Sequence, residues 1–591
     1  MRAHATAVVA VLVFSAAVFL NALRAQFLWD DAPIIQTNPG IRSLQRPTRF
    51  FAPEYWRRAR ASRGGFPSRG YRPVTEVSFA LDYAVWRLRP VGYHLTNVLL
   101  HMGNCVLVYV LAYWILRSPG WALLCALLFA AHPVHVEPIA WAKARAELLA
   151  LLFMLLSSLA HLRFVASPSA IRLACLYVPG VACFALAMLS KPSATVLPAL
   201  LAAYAWCLLP RPSVRRALFA LLPLCGVVAL FTAVDAAMPP APRAPVPLYA
   251  QLASGLAIMG ISLRLLLVPA GLCFHHDFGI VHSLASPVVL KALPFVAALA
   301  LAALAALRRS KTAFFALAWI GIAMAPLSLV SVVGRPVAES RLYVPSLGLC
   351  LLIALLGRNM TTAARASARH APLARLPLAI CLLVLGVYAG LAIARTGDWT
   401  DVAALMEDTL AKNRHSAHSH RALARIYRRQ GDLDSAIRHF REAVELYAQE
   451  DPRLLAELAA ACERAERHEE ALRWFRAVVR LDPQNAYMRV RLGAAFGRKG
   501  LRREAEGQLR TALELAPPPR IRAEAHYNLG VVYSEEGRFG EAVAELERAV
   551  ELDPGEPGIR YALATAYARA GRREEAAAAY RKTYELEGGE E

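Results

Sequence analysis

Residues 6–31 read TAVVAVLVFSAAVFLNALRAQFLWDD. From Ala7 to Leu23 no side chain is charged, and the run is long enough for a helix to cross hydrocarbon. It then meets Phe27-Leu28-Trp29-Asp30-Asp31, two adjacent carboxylates where the bilayer surface begins. Acids beside hydrocarbon are costly to hold, so Asp30 and Asp31 are either a solvated cap or a functional group. Ala22-Leu23-Arg24-Ala25 has the look of a cleavage site, but many further apolar runs favour an uncleaved first span.

Those further runs lie near 93–116, 121–140, 146–165, 171–189, 194–210, 216–235, 287–307, 312–333, 342–357 and 374–394. With the first they make about eleven spans, each roughly 17–24 residues. Lys and Arg in the short connections set the orientation. Arg117, Arg163 with Arg172, Arg211 with Arg215 and Arg216, Arg308 with Arg309 and Lys311, and Arg358 to Arg375 mark the cytoplasmic side. Loop 26–92 is then outside. The run 248–271 has connections on both flanks that fall outside, so it is expected to be re-entrant or to lie along the interface. The domain after the last span is expected on the outer, periplasmic or lumenal, side.

The chain has 591 residues, 57% of them hydrophobic, and a formal charge of +22. Residues 401–591 hold 31 Lys and Arg against 33 Asp and Glu, which leaves 35 basic and 11 acidic groups before residue 401. The basic excess therefore belongs to the membrane part. It reads as topology signal and lipid headgroup contact, with no basic-aromatic stripe for nucleic acid. The eleven acids are Asp30, Asp31, Glu54, Glu76, Asp82, Glu137, Glu147, Asp235, Asp277, Glu339 and Asp398. All fall on the outer side of this topology. Acids contribute little to orientation, so their asymmetry separately puts polar chemistry at the outer face. The ten cysteines include no CxxC pair and read as small buried hydrophobes.

Several outer segments are densely polar. His132, His135 and Glu137 close the third span; Lys143, Arg145 and Glu147 open the fourth; Lys191 separates the fifth and sixth; Glu339 and Arg341 open the tenth. All nine are candidate substrate-binding residues. The His132-His135-Glu137 and His275-His276-Asp277 groups invite a metal, but Pro133 and Pro138 break the first helix, and adjacent ligands on extended chain point apart. No metal ligand set is assigned, no cofactor is firmly implied, and a divalent cation stays open. His94, Asn97, His101 and Asn104 share one face of the second span, as an interhelical hydrogen-bond seam or as a polar cavity wall.

From about residue 414 the composition changes to Ala, Arg, Glu and Leu. Small residues recur at Ala436, Ala471, Ala505, Ala542 and Ala576, in steps of 35, 34, 37 and 34. That is the tetratricopeptide (TPR) period. Ala424, Ala459, Gly493, Gly530 and Ala564 precede them by twelve residues, where paired helices must approach closely. Gly431, Gly500, Gly537 and Gly571 turn one helix into the next, with Glu466 the exception. Five repeats form a solenoid whose concave face suits a partner protein or an extended peptide. The fold expected is all-α: a polytopic membrane domain over 1–399, then a TPR solenoid over 400–591.

Phe27-Leu28-Trp29-Asp30-Asp31, Tyr71-Arg72-Pro73, the stretch Gly92 to His101, His132 to Glu137, Arg145-Ala146-Glu147-Leu148-Leu149, Leu189-Ser190-Lys191 and Glu339 to Ser346 occur in that order. With the repeats they resemble the transmembrane and TPR-repeat-containing O-mannosyltransferases, of the GT-C class of polytopic glycosyltransferases, over essentially the whole chain. The resemblance implies a polyprenyl- or dolichyl-phosphate sugar donor and transfer to Ser or Thr of a protein at the outer face. It implies a catalytic carboxylate in the first outer loop, which falls on Asp30 or Asp31. On it Asp31 is expected to be the base and Asp30 to orient it, with Lys143, Arg145, Lys191 and Arg341 as cations for the leaving phosphate. The chain departs from the family pattern in its few repeats and in Lys191-Pro192-Ser193, where an acid often follows the lysine. A non-catalytic membrane scaffold and a lipid-linked sugar transporter are the alternatives.

Overall fold

A computed structural model describes residues 2–62, 71–166, 169, 173–237, 246–276, 278–330, 335–366, 371–447 and 451–586. The chain forms two compact units, Met1–Arg414 and His415–Glu591. No strand occurs among the described residues.

The first unit is a bundle of apolar helices. In order they are α1 (Arg2–Phe19), α2 (Pro53–Ser62), α3 (Pro73–Trp86), α4 (Pro90–Leu116), α5 (Pro119–Ala131), α6 (Val136–Ala140), α7 (Arg145–Ala166), α8 (Val178–Ser190), α9 (Leu197–Leu208), α10 (Arg211–Phe219), α11 (Leu222–Ala236), α12 (Leu248–Leu267), α13 (Pro287–Arg309), α14 (Lys311–Val330), α15 (Tyr343–Ala366), α16 (Leu376–Gly397) and α17 (Val402–Lys412). Among the described residues eight helices are long and apolar enough to cross a membrane, and the bent pair α5 and α6 raises the number to nine. Three shorter apolar helices, over 175–190, 192–208 and 311–326, fill the remaining expected positions. The protein is thus a multi-pass membrane protein. Lipid-facing Leu and Val on α1, α13 and α16 stay exposed, as a bundle surface in hydrocarbon requires. The loop after α1 is structured, with α2 and α3 folded within it. Of the ten cysteines, all are free; Cys175 and Cys225 are exposed and Cys183 is half-buried, so those three are not the buried hydrophobes expected.

The segment 248–286 has a simple path. α12 is one uninterrupted helix, and α13 packs beside it in the same direction. Val289 shares a cluster with Ala253 and Ala257, a Cβ on Gly260 would run into Ala292, and Phe295, Val296 and Leu299 pack on the cluster that holds Ile258, Leu263 and Leu266. The irregular chain between them returns along α12, and Val281 N–H donates to Ser254 Oγ at 2.9 Å. The chain leaves this segment near where it came in.

α4 carries the polar seam. Asn97 donates to the carbonyls of Ile139 and Trp141 at 3.2 Å each. Asn104 donates to the Leu148 carbonyl at 3.0 Å, and Tyr343 OH lies 2.8 Å from His101 Nδ1. These bonds tie α4 to α7 and α15, so the seam is interhelical. α17 belongs to this unit: Thr409 Oγ1 accepts from Phe274 N–H at 3.1 Å, which moves the unit boundary past the expected residue 399.

The second unit is five helix pairs, α18 (Ala417–Gln430) with α19 (Leu433–Leu446), α20 (Pro452–Arg464) with α21 (His468–Leu481), α22 (Ala486–Arg498) with α23 (Arg502–Glu514), α24 (Pro519–Glu535) with α25 (Phe539–Leu552), and α26 (Pro557–Arg569) with α27 (Arg573–Leu586). A Cβ on Gly493 or Gly530 would stand 2.6 or 2.5 Å from Leu509 or Leu546, so the pairs close only over small residues. The connecting glycines have φ between +73° and +87°, and Glu466 takes the same left-handed turn at +57°.

Candidate functional site

The loop after α1 is pinned by its second aspartate. Asp31 is fully buried; its Oδ2 accepts from Leu28 N–H at 2.9 Å and its Oδ1 from Lys143 N–H at 2.8 Å. Trp141 Nε1–H donates to the Leu28 carbonyl at 3.2 Å. The first bond closes the turn within 28–31, and the other two stitch it to 141–143. Burial raises the Asp31 carboxyl to about 7, against the pull of those two backbone N–H groups and of Lys143. Asp30 stands on the open side instead. Its side chain is 23% exposed and is ion-paired with Lys143 Nζ. Trp29, between buried Leu28 and Asp30, has φ +45°, a rare backbone state for a bulky residue.

An aromatic floor lies beside this loop. Phe274 packs against Trp29, Trp141 and Trp399 with centroids 6.2, 5.4 and 5.7 Å apart. Lys143 Nζ lies 4.7 Å over Trp141, and the Arg335 guanidinium lies 4.1 Å over Phe274.

The remaining candidates divide into three groups. Glu137 is buried and accepts Arg335 in a two-pronged pair at 3.1 and 2.8 Å, together with Ser340 Oγ–H at 2.7 Å and Glu339 N–H at 3.1 Å. Glu339 is paired with Arg395 at 2.7 Å and lies 3.1 Å from His276 Nε2. Lys191 pairs with Glu147. Burial, followed by the positive charges of Arg72 and Arg341, holds the Lys191 ammonium well below its usual range; Lys143 adds to the repulsion. Arg72, Arg341 and Lys143 thus add positive charge around the Lys191–Glu147 pair, a setting that would favour a phosphate.

Arg145, expected as a substrate cation, sits as a rivet inside the bundle. It is fully buried, paired with Asp82 at 2.5 Å, and donates to Asn97 Oδ1 and the Tyr93 carbonyl at 2.8 Å each. His132 and His135 are likewise buried within the bundle, against the Leu266 carbonyl at 3.2 Å and Ser346 Oγ at 2.8 Å. They and Glu137 point to three different partners and do not converge. Asp277 lies outside the described residues, and among the described ones no three His, Cys, Asp or Glu side chains are grouped for a metal.

Arg335, Arg395 and Arg72 were not among the sequence candidates. A signal existed for the first two. On the topology expected from the sequence, Arg335 and Arg395 fall on the side opposite the loop arginines and so oppose the rule that set it.

Fold and site together define a class: a multi-pass helical membrane protein with buried ion pairs at one face, followed by a tetratricopeptide solenoid. Tetratricopeptide repeat families match residues 389–451, 421–486, 490–557 and 533–583. Protein O-mannosyl-transferase TMTC2 of Homo sapiens is 37% identical over 158 residues, 26% of this chain and 19% of that protein. Protein O-mannosyl-transferase F38B6.6 of Caenorhabditis elegans is 25% identical over 442 residues, 72% of this chain and 61% of that protein. Protein O-mannosyl-transferase TMTC3 of Homo sapiens is 24% identical, over 73% of this chain and 50% of that protein. The chain spans between 19% and 61% of the length of these relatives. The chain is similar to these protein O-mannosyl-transferases. Among solved structures, MamA of Desulfovibrio magneticus is 25% identical over 29% of this chain and 94% of that one, with a TM-score of 0.27. A thermophilic TPR protein of Thermus thermophilus is 28% identical over 29% of this chain and 91% of that one, with a TM-score of 0.25.

Proposed function

We propose that the chain is a membrane glycosyltransferase that moves a mannosyl or similar sugar from a polyprenyl-phosphate donor to Ser or Thr of a protein at the outer or lumenal face. The carrying observation is the division of labour between neighbouring aspartates: Asp31 is dry and bonded to backbone, Asp30 is open and paired with Lys143. This reverses the roles expected from the motif. Asp30 is the base and Asp31 the anchor that positions it.

In this reading the Asp30 carboxylate takes the proton of the acceptor hydroxyl. The hydroxyl oxygen bonds the anomeric carbon as the bond from that carbon to the phosphate oxygen breaks. The lipid phosphate leaves with the electron pair and is received by Lys143, Lys191, Arg341 and Arg72. Glu137 and Glu339, through Arg335 and Arg395, hold the loop before α15 in place. The return of Val281 to Ser254 supports the re-entrant reading of 248–271, and with it an odd number of crossings and an outer solenoid that binds the acceptor or a partner protein.

The test is transfer by the purified protein in membranes, from a panel of radiolabelled polyprenyl-phosphate sugars to a Ser/Thr-containing protein. Label should reach protein and should stop in Asp30→Asn. Full transfer by that variant sinks the assignment.

A further inference from the structure

We infer that the Trp29 indole is a stacking platform for the pyranose ring that is transferred, an inference that rests on the glycosyltransferase reading. Trp29, next to Asp30 in the chain, belongs to a cluster of four aromatic rings, and three of them are closed. Phe274, Trp141 and Trp399 are 1%, 5% and 0% exposed. Trp29 alone of the four is half-buried, and its chain neighbour Asp30 and that residue's partner Lys143 are likewise part-exposed. Its ring rests on the floor through Phe274 at 6.2 Å and His275 at 6.5 Å, the latter edge to face.

The backbone gives a second, independent reason. A tryptophan at φ +45° is strained where a glycine would not be. Asp31 does not need the tryptophan ring, because its bonds run to the N–H groups of Leu28 and Lys143. A pyranose has a C–H face and a hydroxyl edge. It suits a site that offers one aromatic face flanked by a carboxylate and an ammonium. The lipid phosphate, by contrast, is a matter for the cations and needs no ring.

The test compares binding of undecaprenyl-phosphate mannose and sugar-free undecaprenyl phosphate to the full-length protein in nanodiscs, for the natural chain, Trp29→Phe and Trp29→Gly. The natural chain should bind the sugar-bearing lipid roughly tenfold more tightly than the bare phosphate. In Trp29→Gly that preference should vanish, with bare-phosphate affinity unchanged and thermal stability equal or higher because the strain is gone. Trp29→Phe should keep most of it. A preference that survives Trp29→Gly, a natural chain with no preference, or equal weakening of both lipids would overturn the platform. If Asp30→Asn stops transfer while Trp29→Gly keeps the preference, the enzyme stands and only the platform falls. If the natural chain shows a preference that Trp29→Gly abolishes but transfers no sugar, Trp29 binds a sugar that is not transferred, and the glycosyltransferase reading falls.

Discussion

Arg145 in the membrane unit and Arg538 in the solenoid are both ion-paired, and the structure uses them differently. Arg145 is fully buried against Asp82, Asn97 and Tyr93, whereas Arg538 is part-exposed among Glu506, Glu536 and Glu541. One is a single solution to a buried charge; the other is one of many interchangeable surface pairs. In the bundle, removing one partner strands the other away from water. In the solenoid, water replaces whatever is lost.

The largest effect expected is catalytic. Asp30→Asn should lower sugar transfer by about 10²-fold or more, the range of a lost general base, with unchanged thermal unfolding. Unfolding that shifts with the activity would erase the contrast between Asp30 and its anchored neighbour. Next comes Arg145→Ala, which leaves Asp82 buried and uncompensated. It should cost on the order of 3–5 kcal/mol, seen as loss of folded, extractable protein. A stable variant would show that the bundle treats its charges as the solenoid does.

Asp31 gives a pH dependence with a definite sign. Its carboxyl is held at about 7 in the fold against an ordinary value of 3.8. A raised folded value makes the protein most stable where the group is protonated in both states, below about pH 4. That contribution declines as pH rises toward 7 and is gone above it, a swing on the order of 4 kcal/mol. Asp31→Asn should abolish the swing and carry its own penalty of roughly 1–3 kcal/mol, because its amide N–H₂ must face a backbone N–H. Unfolding midpoints of both proteins from pH 4 to pH 8 decide it. The smallest effect is in the solenoid: Glu466→Gly should raise stability by about 0.4–1 kcal/mol by removing a side chain from a left-handed turn, and thermal melting reads it directly.

The fold was legible because both units repeat a simple constraint. Hydrocarbon thickness dictates the apolar runs, and the TPR period places Ala424, Gly493 and their equivalents. Glu466 stood out in the sequence as the missing glycine, and it is there that a non-glycine adopts the turn. The site was legible only where chemistry is local. Asp30 and Asp31 announced themselves, but their different burial depends on Lys143, more than a hundred residues away. Arg145 looked like its neighbour Lys143 in the sequence; only Asp82 and Asn97, from other helices, make it structural. Arg335 belongs to none of the family motifs, and its partner Glu137 lies some two hundred residues earlier in the chain.

The short bond from Val281 to Ser254 acts as a parity bit. On the proposed topology the chain re-emerges beside the point where it dipped in, so the segment 248–286 adds nothing to the count of sides. The helices after it inherit the handedness set by those before it. A change that straightened this detour into a true crossing would turn residues 287–397 upside down, carrying Arg335, Glu339 and Arg395 away from Glu137 without altering one of those side chains.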